Sequence, residues 1–451
     1  MPSTAMGRRG ILRTAGGLAL GSLAVPFVRG ARAAGALSVA LWQHPVPGAD
    51  AAVRRAMTEW AEANRIDVRI NFVAADAGRI RQIARAEARA RVGHDLFAHP
   101  GWQVAVHHRQ LEPLDDLVAD IEGEHGPVGE PAASLARIDG VWRGVPTAIG
   151  AHAFPMISRL DLYRRHLDLD LRQVFPPDPA GRQGGRMGSW TWEAFLAHAG
   201  RLRDAGCPFV APVGAAADAP NWLGPLFLAF GSVLVTARGE VAVDSEATRT
   251  ALAFLGRLAR NMPEGVERWE DREYDRRLIG GQAATIVDRP VIRAPNGSGS
   301  SSSESAEFWH HGLPRGPGGR YRAVLPFTFG IWDFATNKSA ARALARHLAR
   351  GEVVGSLAAA AAGHDLPQLA SLGGREDRPT VATPVGSLAN YPIGGDEIAI
   401  VPGYPAPARI AATIFEQRLI GQLAARALHP DGGVEQAVAW ARRELEAYNS
   451  G

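Results

Sequence analysis

Residues 37–72 carry the pattern that most restricts the fold: an apolar run, an amphipathic stretch and an alternating run, joined by short links. Leu37-Ser38-Val39-Ala40-Leu41-Trp42 is fit for a buried strand, and Pro45 and Gly48 close it. Val53, Met57, Trp60 and Ala61 then recur at i, i+4, i+7 and i+8, which places them on one face of a helix. Ile66, Val68, Ile70 and Phe72 alternate, as a half-buried strand requires. Strand, helix, strand with short links is the unit of a parallel sheet covered by helices, so an α/β fold is predicted.

A helical stretch at 80–92 leads into a third predicted strand at 94–98, followed by the loop His99-Pro100-Gly101-Trp102. In open α/β sheets ligands bind beyond the carboxyl ends of strands. Two such ends pair tryptophan with histidine: Trp42 with His44, and His99 with Trp102. Farther along, 139–146 reads as a turn and a strand continuing to about Met156, and Thr191 caps a helix whose Trp192, Phe195, Leu196 and Ala199 share a face. The stretches 233–235 and 241–243 flank a hairpin signal, and Asp244-Ser245 opens another helix. A strand at 283–287 ends at Asp288-Arg289-Pro290, a serine-rich loop occupies 296–303, strand sequence resumes at 323–334, and 340–348 and 434–448 read as helices.

The first 33 residues have the three-part order of a removable signal peptide: a cationic start at Arg8, Arg9 and Arg13, an uncharged run from Thr14 to Val28, and a small-x-small site at Ala31-Arg32-Ala33. Arg8-Arg9-Gly10-Ile11-Leu12-Arg13 resembles the twin-arginine export consensus, with an ordinary secretory leader as the alternative. A periplasmic location is expected. No cysteine near the cleavage site offers a lipid acceptor, so no stable membrane anchor is expected. Removing five leader arginines and no acid takes the formal charge from +3 to −2, and with it the argument for a nucleic-acid partner. The single cysteine, Cys207, excludes an intramolecular disulfide and a multi-thiolate metal site, and is expected in the core. About 418 mature residues exceed one ordinary hydrophobic core, so two lobes are predicted.

No nucleophile elbow, Walker loop, metalloprotease helix or dinucleotide fingerprint occurs. His107-His108 and His310-His311 lack the helical spacing and carboxylate partner of a zinc site, so neither a metal nor a cofactor is expected. What remains is aromatic residues at apparent loop positions: Trp42, Trp102, Trp222, Trp309, Trp332 and Tyr404. A flat aromatic face suits the C–H face of a sugar ring, and neighbouring polar side chains can bond its hydroxyls; core packing is the competing reading for each.

Five ordered segments between about 36 and 450 resemble the family 1 extracellular solute-binding proteins, the carbohydrate receptors of ABC importers. They are His94-Asp95-Leu96-Phe97 with Leu111-Glu112-Pro113-Leu114-Asp115-Asp116; Asp139-Gly140-Val141-Trp142-Arg143-Gly144-Val145-Pro146 with Leu160-Asp161-Leu162-Tyr163; Trp190-Thr191-Trp192-Glu193-Ala194-Phe195; Leu228 to Val233 through Asp244-Ser245; and Gly280-Gly281-Gln282-Ala283-Ala284 with Leu313 to Gly319. The resemblance implies a periplasmic-binding-protein-like fold of two α/β lobes joined by a hinge, with the ligand cleft between them. It implies one lobe from 36–118 plus 284–348 and the other from 119–283 plus 349–451. The site is then expected to draw on Trp42, His44, His99 and Trp102 from one lobe and His152, Trp222 and Tyr404 from the other, with Asp288 and Arg289 near the crossing. It further implies a non-catalytic, monomeric receptor that captures a carbohydrate or polyol and delivers it to the permease subunits of an ABC transporter. Alternatives are a non-sugar solute (a polyamine, phosphate ester or metal) and an exported hydrolase.

Overall fold

The apolar run at 37–42 is hidden on both faces because it becomes an interior strand, Ala36–Trp42, with a parallel neighbour on each side. This computed structural model describes residues 35–74, 77–150, 152–176, 186–266, 273–288, 308–361, 364–365, 367–369, 371–372 and 396–449. The leader, Arg289 and the serine-rich stretch lie outside the described residues.

The first sheet runs in the order Asp67–Val73, Ala36–Trp42, Leu96–Pro100, Phe327–Ile331, Val145–Pro146. Its first three strands are parallel, and the last two pair antiparallel. The edge strand keeps Asp67, Arg69 and Asn71 exposed and turns Val68, Ile70 and Phe72 inward, which is why its sequence alternates where its neighbour's does not. Helix Pro47–Asn64 starts on a proline, whose missing N–H costs nothing in a first turn, and buries Val53, Met57, Trp60 and Ala61. Asp95 binds the third strand in place. Its carboxylate accepts from the Ser38 N–H and O–H at 2.9 and 2.7 Å and from the Thr336 and Asn337 N–H groups at 2.7 and 3.0 Å. Burial alone would raise its pKa, and these bonds hold it below the usual range.

The second sheet runs Phe308–His311, Met156–Arg159, Thr285–Val287, Phe209–Val210. Helix Trp192–Asp204 beside it is capped as read, with Thr191 Oγ1 accepting from Ala194 N–H, and Ser245 caps Glu246–Ala259 in the same way. The third sheet joins the two. Arg320–Leu325 pairs antiparallel with His152–Ala153 and parallel with Glu397–Ile400. The first of these strands leads from the second sheet to the first, and 152–153 leads back the other way, so the two connections are bonded to each other.

Several boundaries differ from the sequence reading. The single strand expected at 323–334 is two, split at Pro326, which cannot donate to a ladder and marks the change of sheet. The strand expected to continue to Met156 is broken into short pieces: Val141–Trp142 pairs with Arg137–Ile138, and 145–146, 152–153 and 156–159 each enter one of the three larger sheets, with a turn at Gly150 where φ is +71°. The hairpin at 233–243 shrinks to one bridge, Val235 to Val241. Sheet membership also departs from the lobe division at 118/119 and 283/284. Residues 145–146 belong with the first sheet, and 285–287 and 308–311 with the second, so the changes fall between 146 and 156 and between 311 and 327. Among the described residues no helix is long and apolar enough to cross a membrane.

Candidate ligand-binding site

The carboxyl end of the interior strand is where the two connections meet it. Trp42 closes that strand, buried, with its ring centroid 5.4 Å from that of Phe327, the first residue after the crossing at Pro326. Phe327 in turn lies on bare backbone: a Cβ at Gly150 would sit 2.6 Å from its Cγ. Trp42, Phe327 and Gly150 therefore form a packed stack that ties the first sheet to both connections. A residue larger than glycine at 150 meets a left-handed backbone and an aromatic ring together.

His44 lies just beyond. Its Nε2 is 3.1 Å from Asp365 Oδ1, and its Nδ1 accepts the Val46 N–H at 2.9 Å. Its own N–H donates to Asp50 Oδ1 at 2.9 Å. His364 stands against the same carboxylate, with Nδ1 at 3.5 Å from Asp365 Oδ1 and its ring edge-on to that of His44. Burial pushes Asp365 up, but the hydrogen bonds from His364 and His44 bring its carboxyl below the usual range. Asp50 is pushed up, mainly by burial. His364, Asp365 and Asp50 carried no signal in the sequence, since 321 residues separate the first histidine from its carboxylate.

The other predicted site residues divide. Trp102 heads the short helix Gln103–His107 and is 1 % exposed, with its indole N–H donating to Pro402 O at 2.7 Å. His99 is wholly buried among Phe97, His107 and Trp332, and among the described residues neither ring nitrogen has a partner. Its Nε2 abuts Gly330, where a Cβ would lie 2.9 Å away. Burial, then the nearby His107, drives its pKa well below the histidine range. Trp222 is not in a loop. It sits inside helix Pro220–Ala229, 0 % exposed, donating to Pro212 O at 2.6 Å, so in this structure it is a core residue. That helix is apolar nearly all round, as a fully buried helix is. Trp309 and Trp332 are likewise interior, donating to Phe175 O and Glu87 Oε2.

Tyr404 is 42 % exposed and, with Pro402, Gly403, Phe227 and Ile414, borders an apolar cavity of about 30 Å³. Asp288 is buried at the end of Thr285–Val287, and His152 pairs with Leu325 in the connecting sheet. The structure thus gathers Trp42 and His44 at the connections and sets Trp102 against the 402–404 segment, while Trp222 is turned into the core.

One arrangement looks like a nucleophile and its base. Ser158 Oγ is 2.8 Å from His311 Nε2. His311 Nδ1 faces Gly312 O at 3.1 Å, so that nitrogen carries the proton and Nε2 accepts from Ser158. Ser158 Oγ is also 2.8 Å from Thr285 Oγ1, which is 2.6 Å from the Tyr163 hydroxyl. The chain of donors is closed and every member is buried without exposure. A carbonyl rather than a carboxylate orients the histidine, and all four side chains are enclosed, so the set braces the sheet. The histidine pairs that the sequence reading set aside as zinc ligands do not assemble into a metal site among the described residues.

No family model matches this chain, and no curated protein matches it. Solved structures do. A maltose-bound MalE3 of T. maritima aligns at 18 % identity with a TM-score of 0.65, covering 92 % of this chain and 100 % of that one. A sugar transporter from Arthrobacter chlorophenolicus with bound laminaribiose aligns at 15 % identity, TM-score 0.68, over 92 % and 99 %. An ABC transporter solute-binding protein from Agrobacterium vitis with bound D-mannitol aligns at 18 %, TM-score 0.63, over 92 % and 99 %. The chain has the two-lobe α/β fold of periplasmic binding proteins.

Proposed function

We propose that this protein is a periplasmic, monomeric receptor of family 1 that captures a carbohydrate or polyol between its lobes and delivers it to the permease of an ABC importer. The observation that carries the reading is fold over full length: structures solved with maltose, laminaribiose and mannitol each match 92 % of the chain and nearly all of themselves. The export leader read from the sequence and the paired connections between the sheets agree with it. Such connections permit the hinge closure by which binding proteins of this architecture respond to ligand. Tyr404, which is substantially exposed, His152 at the connections and Asp288 at the end of Thr285–Val287 are the ligand contacts we favour; Arg289 belongs to the same segment as Asp288.

A thermal-shift screen of the leaderless protein against mono- and oligosaccharides, polyols, polyamines and phosphate esters tests it. A bound ligand at 100 times its Kd stabilises the native state by about 2.7 kcal/mol. A sugar or polyol raises the melting temperature in a concentration-dependent way. A shift from amines or phosphate esters alone, with none from any sugar, overturns the proposal.

A further inference from the structure

We propose that His44, His364 and Asp365 form a binding site for one divalent transition-metal ion of the zinc class, holding the 364–365 segment against the end of the interior strand. The three residues are buried, at 7, 2 and 4 % exposure, and one ligand atom from each lies within 4.8 Å of the others. The carboxylate oxygen is 3.1 Å from His44 Nε2 and 3.5 Å from His364 Nδ1, and the two rings are 4.7 Å apart at 74°. A tetrahedral zinc with bonds of 2.0–2.1 Å holds its ligands about 3.3 Å apart, so both separations already suit it. Two imidazoles and a carboxylate are a donor set that zinc takes, with a fourth position left for water. A void of about 10 Å³ bordered by Trp42, His44, Asp50 and Asp365 adjoins the cluster, close to the room one water needs.

Charge points the same way. A buried carboxylate needs a cation or several donors. Because Val46 N–H donates to His44 Nδ1, that nitrogen presents a lone pair and His44 has a single proton, on Nε2 facing Asp365. Nearby Asp50 adds a second acid. A divalent ion supplies the charge. Its binding at Nε2 sends the ring proton to Nδ1, where it opposes the Val46 N–H, so the turn at 44–46 must shift on loading. That shift is a specific signature of the metal. Helix Gly351–Ala360 packs on helix Pro47–Asn64, which brings 364–365 to His44, so the ion pins 364–365 to the end of the interior strand.

The test uses the full chain purified without an affinity tag, stripped with a chelator and titrated with zinc chloride or cobalt chloride. One equivalent of zinc per chain is retained through gel filtration, cobalt gives the visible bands of a low-coordinate nitrogen–oxygen site, and the Val46 amide resonance moves on loading. His364→Gln and Asp365→Asn each weaken the metal by about tenfold or more, at least the loss seen on removing an outer-shell partner. His364→Gln decides the matter if Asp365→Asn does not fold. Failure of the wild-type chain to take up an equivalent at micromolar metal overturns the proposal, as does wild-type uptake by His364→Gln. The proposal is independent of the sugar reading, because the metal titration needs no sugar and the sugar screen contains no metal.

Discussion

The indole N–H of Trp102 donates to the carbonyl oxygen of Pro402 at 2.7 Å, joining the helix that follows the third strand to a segment 300 residues away. Both groups are buried, so the bond is not replaced by water when it is lost. Trp102→Ala should lower stability by about 3–5 kcal/mol, and Trp102→Phe, which keeps most of the volume and leaves the Pro402 carbonyl unpaired, by about 1–3 kcal/mol. Urea unfolding measures both. An unchanged midpoint for Trp102→Ala would return the residue to a ligand-facing role.

Gly150 and Phe327 are coupled in the same physical sense, one bare and the other filling the space. Gly150→Ala combines a left-handed backbone with a clash against the ring, and a loss on the order of 2–4 kcal/mol is expected. Phe327→Leu made with it should recover part of that loss, giving a non-zero interaction energy in a double-mutant cycle. Strict additivity would mean that the ring does not constrain this position.

Acid should destabilise the protein well above the carboxylate range. Burial, then the charge of Arg85, takes His107 down to about 4. Burial takes His311 down to about 3, with the charges of His310 and Arg320 adding to it and its bond to Gly312 opposing. Below about pH 6.5 the unfolded chain protonates these rings while the native state does not, so the unfolded state binds more protons and stability falls with falling pH. The loss runs from about pH 6.5 down towards the native values and approaches 1.4 kcal/mol per pH unit for each ring, roughly. Denaturation between pH 7 and 4.5 gives the slope, and His107→Gln should make it shallower. A flat profile over that window contradicts the burial of both rings as neutral groups.

The elements that the sequence disclosed are those whose residues answer to their own neighbours. The run at 37–42 is apolar throughout because both faces are covered, 67–73 alternates because one face is wet, and Thr191 precedes a helix whose N–H groups it satisfies. The site was less legible. Trp222 reads as a loop residue because Pro220, Gly224 and Pro225 surround it, yet the helix is buried on every side and tolerates them. Nothing local distinguishes a tryptophan that stacks on a sugar from one that seals a core. Nor does anything near His44 announce Asp365, since only the packing of two distant helices brings them together.

Tyr404 separates the two roles most cleanly, because its ring is substantially exposed while the other aromatic candidates are enclosed. Substitution of an exposed side chain usually moves stability by less than about 0.5 kcal/mol. Tyr404→Ala should therefore unfold close to wild type. If the ring stacks on a sugar, the same change removes an aromatic contact worth on the order of 1 kcal/mol beyond its area, and affinity for whichever sugar the screen identifies falls by roughly tenfold. Calorimetric titration beside urea denaturation reads both quantities from one preparation. Equal affinity in the two proteins removes Tyr404 from the cleft, whereas a large loss of stability assigns the ring to holding the 402–404 segment over Trp102.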